Sequence, residues 1–178
     1  MIFVNSMSDL FHDDVPDEFL DQVFSVINET QQHTYQILTK RADRLPKYFK
    51  NRACPQNVWL GVSVEDRQYG VPRIDHLRQV KAYVRFLSIE PLLEDVGELD
   101  LADIHWVIVG GESGHKARLM RPEWVENIKQ QAEDANVAFF FKQWGRWGAD
   151  GVSRDKRANG RLYSGRTWDE YPALIGQY

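Results

Sequence analysis

At 178 residues, 43% of them hydrophobic and 27% charged, the chain is long enough to bury one sizeable core and lies outside the compositions that stay disordered. A formal net charge of −4 excludes a uniformly basic nucleic-acid-coating protein, and only a local basic groove is compatible with it. The single cysteine, Cys54, excludes an internal disulfide and any all-cysteine metal or cluster site. No apolar run would span a bilayer, and the first residues lack both the basic region and the apolar length of a signal peptide, so a cytoplasmic protein is expected.

The apolar Ile2–Val4 reads as a strand ending at Asn5-Ser-Met-Ser-Asp9. Val15-Pro-Asp-Glu opens a helix whose Phe19, Leu20, Val23, Phe24 and Ile27 fall at helical spacing. Tyr35–Leu38 is a second strand, followed by an irregular helix from Ala42 to Lys50 that contains Pro46. A loop carrying Cys54 leads to the third strand, Val58–Val62, which ends at Ser63-Val-Glu-Asp66. A helix opened by Gly70-Val-Pro72 precedes the fourth strand, Tyr83–Leu87, which ends at Ser88-Ile-Glu90. The connection Leu92–Asp103 has room for a short helix.

The fifth strand lies in His105-Trp-Val-Ile-Val-Gly-Gly-Glu-Ser-Gly114, a β-branched run breaking into glycines that flank one carboxylate and one hydroxyl. Such a run reads as a buried strand delivering polar groups at its carboxyl end. Pro122–Asp134 is a helix and Val137–Phe141 the sixth strand, ending at Lys142-Gln-Trp-Gly145. Residues 1–147 are therefore expected to form a (β/α) barrel-like domain. Residues 148–178, rich in Gly, Arg and polar residues, are expected to form a loop-rich tail covering it.

Strands alternating with helices imply parallel pairing, as a (β/α) barrel or a doubly wound sheet. In either, the carboxyl ends of the strands share one face. Asp9, Lys40, Glu65, Glu90, Glu112 and Lys142 all follow strands, and Gly110, Gly111 and Ser113 frame the fifth, so these nine are the candidate ligand-binding residues. Their carboxylates suit a ligand ammonium, a sugar hydroxyl or a hard cation such as Mg²⁺, and their lysines a ligand carboxylate or phosphate. A plug of mutual salt bridges uses the same residues and stays open as the alternative.

The five histidines show no metal-ligand spacing; His115, beside the Gly-Gly-Glu-Ser-Gly loop, is a candidate contact, though an exposed loop histidine is the commoner case. Gly110-Gly-x-x-Gly114 does not match a dinucleotide fingerprint, and Cys54 has no adjacent base.

Several stretches carry a family resemblance: Ile2-Phe-Val-Asn-Ser-Met-Ser-Asp-Leu-Phe-His12, Gln36-Ile-Leu-Thr-Lys-Arg41, Asn57-Val-Trp-Leu-Gly-Val-Ser-Val-Glu-Asp66 and Ser88-Ile-Glu-Pro-Leu92. Trp106-Val-Ile-Val-Gly-Gly-Glu-Ser-Gly114, the residues Arg118 to Trp124 and Phe139-Phe-Phe-Lys-Gln-Trp-Gly145 complete the set. Together they resemble phage- and prophage-encoded proteins of unknown function that carry a radical-SAM-like three-cysteine motif. The resemblance implies an α/β fold, a partial or full TIM-barrel-like (β/α) barrel, with a [4Fe–4S] cluster and S-adenosylmethionine at the strand carboxyl ends. Such proteins place the cluster cysteines upstream of the Ile-Phe-Val-Asn-Ser strand, and Cys54 matches none of them.

A partial, N-terminally truncated or split barrel is therefore expected. It would have an exposed sheet edge and no cluster or S-adenosylmethionine cleavage of its own unless a cysteine-bearing N-terminal fragment or partner chain supplies the missing part. No catalytic residue can be carried over. The alternative is a non-catalytic interaction subunit docking a partner chain through its open edge, with no membrane role. Nothing in the overall charge pattern calls for nucleic acid.

Overall fold

The computed structural model describes residues 1–173; the last five residues of the tail, 174–178, lie outside the described residues. Six strands, β1 (Ile2–Val4), β2 (Tyr35–Thr39), β3 (Val58–Ser63), β4 (Val84–Ile89), β5 (Trp106–Gly110) and β6 (Ala138–Gln143), form one sheet in the order β1-β2-β3-β4-β5-β6. Every neighbouring pair is parallel. Sequential order and parallel pairing make each connection a crossover, and the sheet curls into an open half-barrel within the α/β class.

Two apolar layers follow from the two-residue period of the strands. Ile37, Leu60, Val62, Leu87, Val107, Val109, Phe139 and Phe141 face outward against the helices. Those are chiefly α1 (Asp17–Glu29), with its buried Leu20, Phe24 and Ile27, and α4 (Pro122–Asp134), with Val125, Ile128 and Ala132. Trp59, Val84, Phe86 and Trp106 face the hollow, flanked by Leu38, Ile108, Ala138 and Phe140. Their rings meet edge-on or tilted, as aromatic quadrupoles prefer, with Trp59 and Phe86 5.8 and 5.9 Å from Trp106. Coverage on both faces is why β3 reads as an unbroken apolar run rather than an alternating one.

The two sheet edges are treated differently. Along β6, the Phe141 N–H donates to the Trp168 carbonyl (2.9 Å) and Phe140 bridges Asp169 in antiparallel sense. The Trp106 indole N–H reaches the Glu170 carbonyl at 2.8 Å, so the tail satisfies that edge. Among the described residues β1 pairs only with β2, and Ile2 and Phe3 are 40% and 46% exposed beside it.

Several elements depart from the sequence expectation. The irregular helix divides into α2 (Arg44–Tyr48) and a 3₁₀ turn (Phe49–Asn51), with Pro46 in the first turn, where its missing N–H removes no helical bond. Residues Leu92–Asp103 form no helix, because α4 side chains serve their polar groups instead. Gln131 accepts from the Leu99 N–H (2.7 Å) and donates to the Gly97 carbonyl (2.9 Å), and Asn127 donates to Asp95 (3.0 Å). β2, β3, β4 and β6 each run one or two residues beyond the expected stretch, because Thr39, Ser63, Ser88 and Gln143 still pair in the ladder. Beyond α3 (Arg73–Arg78) and α4, the last helix among the described residues is the one-turn α5 (Lys156–Asn159), whose Asp155 cap accepts the Arg157 N–H at 2.9 Å.

Candidate ligand site at the strand carboxyl ends

Lys40 directly follows β2, Glu65 lies two residues beyond β3, and Arg73 opens α3. The Glu65 side chain, 8% exposed, sits between the Lys40 ammonium and the Arg73 guanidinium, the latter at 2.6 Å. Burial pushes the Glu65 carboxyl up, but hydrogen bonds from Lys40 and Arg73 outweigh it and hold it below its ordinary value. Arg73 also donates to the Ser63 carbonyl at 2.7 Å. Asp9 accepts from the Thr39 hydroxyl (2.7 Å), the Phe11 N–H (3.0 Å) and the Lys40 N–H (2.9 Å), so its lone pairs fasten the loop after β1 to the end of β2.

At the other half of the sheet, Glu90 follows β4 and reaches across β5 to Lys142 on β6 (2.8 Å) and to the Gln143 amide (3.3 Å). Gly110 makes this reach possible, since a Cβ there would lie 3.0 Å from the Glu90 carboxyl carbon. Gln143 in turn donates to the Ser113 hydroxyl at 3.1 Å. Gly111 and Gly145 press the loops after β5 and β6 together. A Cβ on Gly111 would stand 2.0 Å from the Trp144 carbonyl oxygen, and Gly145 adopts φ +79° against the Glu112 carbonyl.

Glu112 turns to Arg118, accepting its Nε and Nη2 at 2.9 and 2.8 Å and its backbone N–H at 2.8 Å. Those bonds pull its carboxyl down to about 2.

The predicted residues thus fall into two hydrogen-bonded sets, Asp9–Lys40–Glu65 and Glu90–Lys142 with Ser113 joined through Gln143, while Gly110 lies against Glu90, Gly111 joins loops and Glu112 is engaged by Arg118. The acidic residues do not pool: among the described residues no group of three or more His, Cys, Asp or Glu is placed to hold a metal ion. Glu65, Glu90 and Glu112 are instead each paired with a cation. His115 lies exposed in the loop after β5.

Five residues at this face were missing from the sequence reading: Ser63, Ser88, Arg73, Arg118 and Gln143. Ser63 and Ser88 stand side by side in the β3–β4 register, on the face that carries Trp59 and Phe86. Counting in twos from those aromatics reaches Ser63, Glu65, Ser88 and Glu90, a signal that was present in the sequence. Arg73 opens α3 and Arg118 lies in the loop after β5, and neither belongs to the strand periodicity that points to the others.

Fold and site together define an α/β half-barrel whose strand ends present fixed, paired charges around the mouth of an aromatic-floored hollow. The chain belongs to a family described as protein of unknown function (DUF5131), whose model matches residues 1–172. No curated protein and no solved structure matches it significantly. Among the described residues no helix is long and apolar enough to cross a membrane.

An iron–sulfur cluster does not fit the residues of this chain. A site-differentiated cluster needs three thiolates, and the lone Cys54 precedes β3, at the opposite end of the sheet from the strand-end face. Burial pushes its thiol up to about 12, far from the thiolate a metal requires.

Proposed function

We propose that the strand-end face binds a small ligand carrying both an ammonium and a carboxylate, as S-adenosylmethionine does. In this reading the chain is the ligand-binding part of a radical-SAM-like, TIM-barrel-related system, not catalytically competent alone. A cysteine-bearing segment or partner chain would be its second component. The observation that carries the reading is Glu90, a carboxylate drawn across β5 and held between Lys142 and Gln143 with Gly110 beneath it. In this reading Glu90 is the acceptor for the ligand ammonium and Lys142 the donor for its carboxylate, with the exposed Ser113 hydroxyl beside them on Gln143. The test is thermal unfolding with and without S-adenosylmethionine, in the wild type and in Glu90→Gln. A ligand-dependent rise in Tm that Glu90→Gln abolishes supports the reading, and no rise in the wild type refutes it.

A second reading, a non-catalytic subunit docking a partner through β1, is favoured by one contrast. The β6 edge is covered by the tail, whereas among the described residues β1 pairs on one side only and leaves Ile2 and Phe3 exposed. Co-purification of a partner lost in Phe3→Lys, with no response to S-adenosylmethionine, would favour it.

A further inference from the structure

The net charge of −4 conceals a strong division. Residues 113–121 and 142–160 carry eight Lys or Arg against two Asp, whereas the rest of the chain has 14 against 24 acidic residues. The fold brings those two segments together. The Trp147 indole N–H donates to the Ala117 carbonyl (2.7 Å), and the Arg146 N–H to the Glu112 carbonyl (2.9 Å). Asn159 donates to the Arg146 carbonyl (2.8 Å), and the Arg154 N–H reaches the same carbonyl (2.9 Å). The result is one basic lobe beside the strand-end site, on an otherwise acidic protein.

Ion pairing within the lobe is incomplete. Glu112 engages Arg118, Glu90 engages Lys142 and Asp150 engages Arg154. Lys116, Arg121, Arg146, Lys156 and Arg157 have no carboxylate partner among the described residues, and all but the half-buried Arg146 are exposed. Like charges gathered this way repel one another, so the cluster is stabilised by a polyanion laid across it.

We propose that this lobe binds the phosphodiester backbone of a nucleic acid. Five of its eight cations are arginines, whose planar forks match phosphate oxygens. The acidic remainder repels phosphates and confines contact to the lobe. A lipid surface fits less well, since the large apolar residues exposed on the lobe are Leu119 and Val152 alone among the described residues, too few for interfacial insertion. The inference is independent of the proposed S-adenosylmethionine site.

The test is fluorescence anisotropy with labelled single-stranded DNA, RNA and duplex DNA of about 20 nucleotides, titrated across salt. Five cations without a carboxylate partner predict a slope of log K against log salt of about −3.5 for a single strand, roughly a 100-fold loss between 50 and 200 mM. Lys116→Glu, Lys156→Glu and Arg157→Glu combined should weaken binding by at least about 50-fold and bring the slope near −1.4. Their urea unfolding should match the wild type. The charge-matched control, Lys47→Glu, Lys50→Glu and Lys81→Glu, should change affinity by less than about fivefold. The three probes identify which backbone is preferred. No binding at 50 mM salt, equal effects of the two triple variants, or binding to phosphatidylserine vesicles but not to nucleic acid each overturns the proposal.

Discussion

Replacing Glu65 by Gln tests which cation the buried carboxylate serves. The substitution keeps the volume and removes the charge. Arg73, 18% exposed, then loses its counter-ion, while Lys40, 50% exposed, can turn to water. Breaking a buried pair by removing one partner costs about 3–5 kcal/mol, and Arg73 retains the Ser63 carbonyl, so the low end, about 3 kcal/mol, is expected. Lys40→Met leaves the Glu65–Arg73 bond in place and should cost less than about 1 kcal/mol, the range of half-exposed pairs. Combining Glu65→Gln with Arg73→Met removes the orphaned charge and should recover about 1 kcal/mol or more. Urea unfolding followed by tryptophan fluorescence reads all three, provided m is unchanged. The Glu65 carboxyl lies below its ordinary value of 4.5. Its contribution is therefore present above that value and lost as pH falls through the lower, folded one, and the gap between wild type and Glu65→Gln should narrow there. Equal costs for Glu65→Gln and Lys40→Met would refute the assignment of Arg73 as the principal partner.

Glu112, held at about 2 by Arg118 against 4.5 when unpaired, should lose its stabilising effect as pH drops from about 4.5 to about 2. Acid titration of Arg118→Met should show a smaller loss over that window than the wild type. Burial and the nearby Arg85 cation depress the His105 imidazole below 6.5, and its Nδ1 accepts the Arg85 N–H at 3.0 Å, a bond that protonation abolishes. The unfolded chain therefore takes up that proton first, so stability should fall as pH is lowered below about 6.5 and His105→Asn should flatten the fall. Gly111→Ala places a methyl 2.0 Å from the Trp144 carbonyl oxygen. Because backbone must move to relieve it, a cost of at least about 2 kcal/mol in urea unfolding is expected, with weakened seating of the 142–160 segment seen as faster proteolysis there.

Much of this architecture is legible in the sequence because parallel sheets write themselves as apolar runs separated by helical periodicity. All six strands and their shared polar end follow from that pattern. The strand ends do not, since Ser63, Ser88 and Gln143 pair in the ladder like their apolar neighbours while hydropathy marks them as loop. Partnerships across the sheet were also hidden. Glu90 and Lys142 are 52 residues apart, and only strand order β4-β5-β6 brings them together. The acidic residues looked like a pool because sequence shows their number and not their directions. Arg73 and Arg118, which claim two of them, are polar residues of the connections, and the apolar periodicity of α3 marks Ile74 and Leu77 but not the direction of Arg73. The basic lobe was masked in the same way, by a net charge summed over a chain that the fold divides.

The most direct test of the central claim is equilibrium dialysis of the protein against methyl-labelled S-adenosylmethionine, with Glu90→Gln and Lys142→Met alongside. Saturable binding at one site per chain, weakened at least about tenfold in each variant as expected for lost charged hydrogen bonds, is the result the account predicts. Absence of saturable binding, or the same affinity in all three proteins, would contradict it.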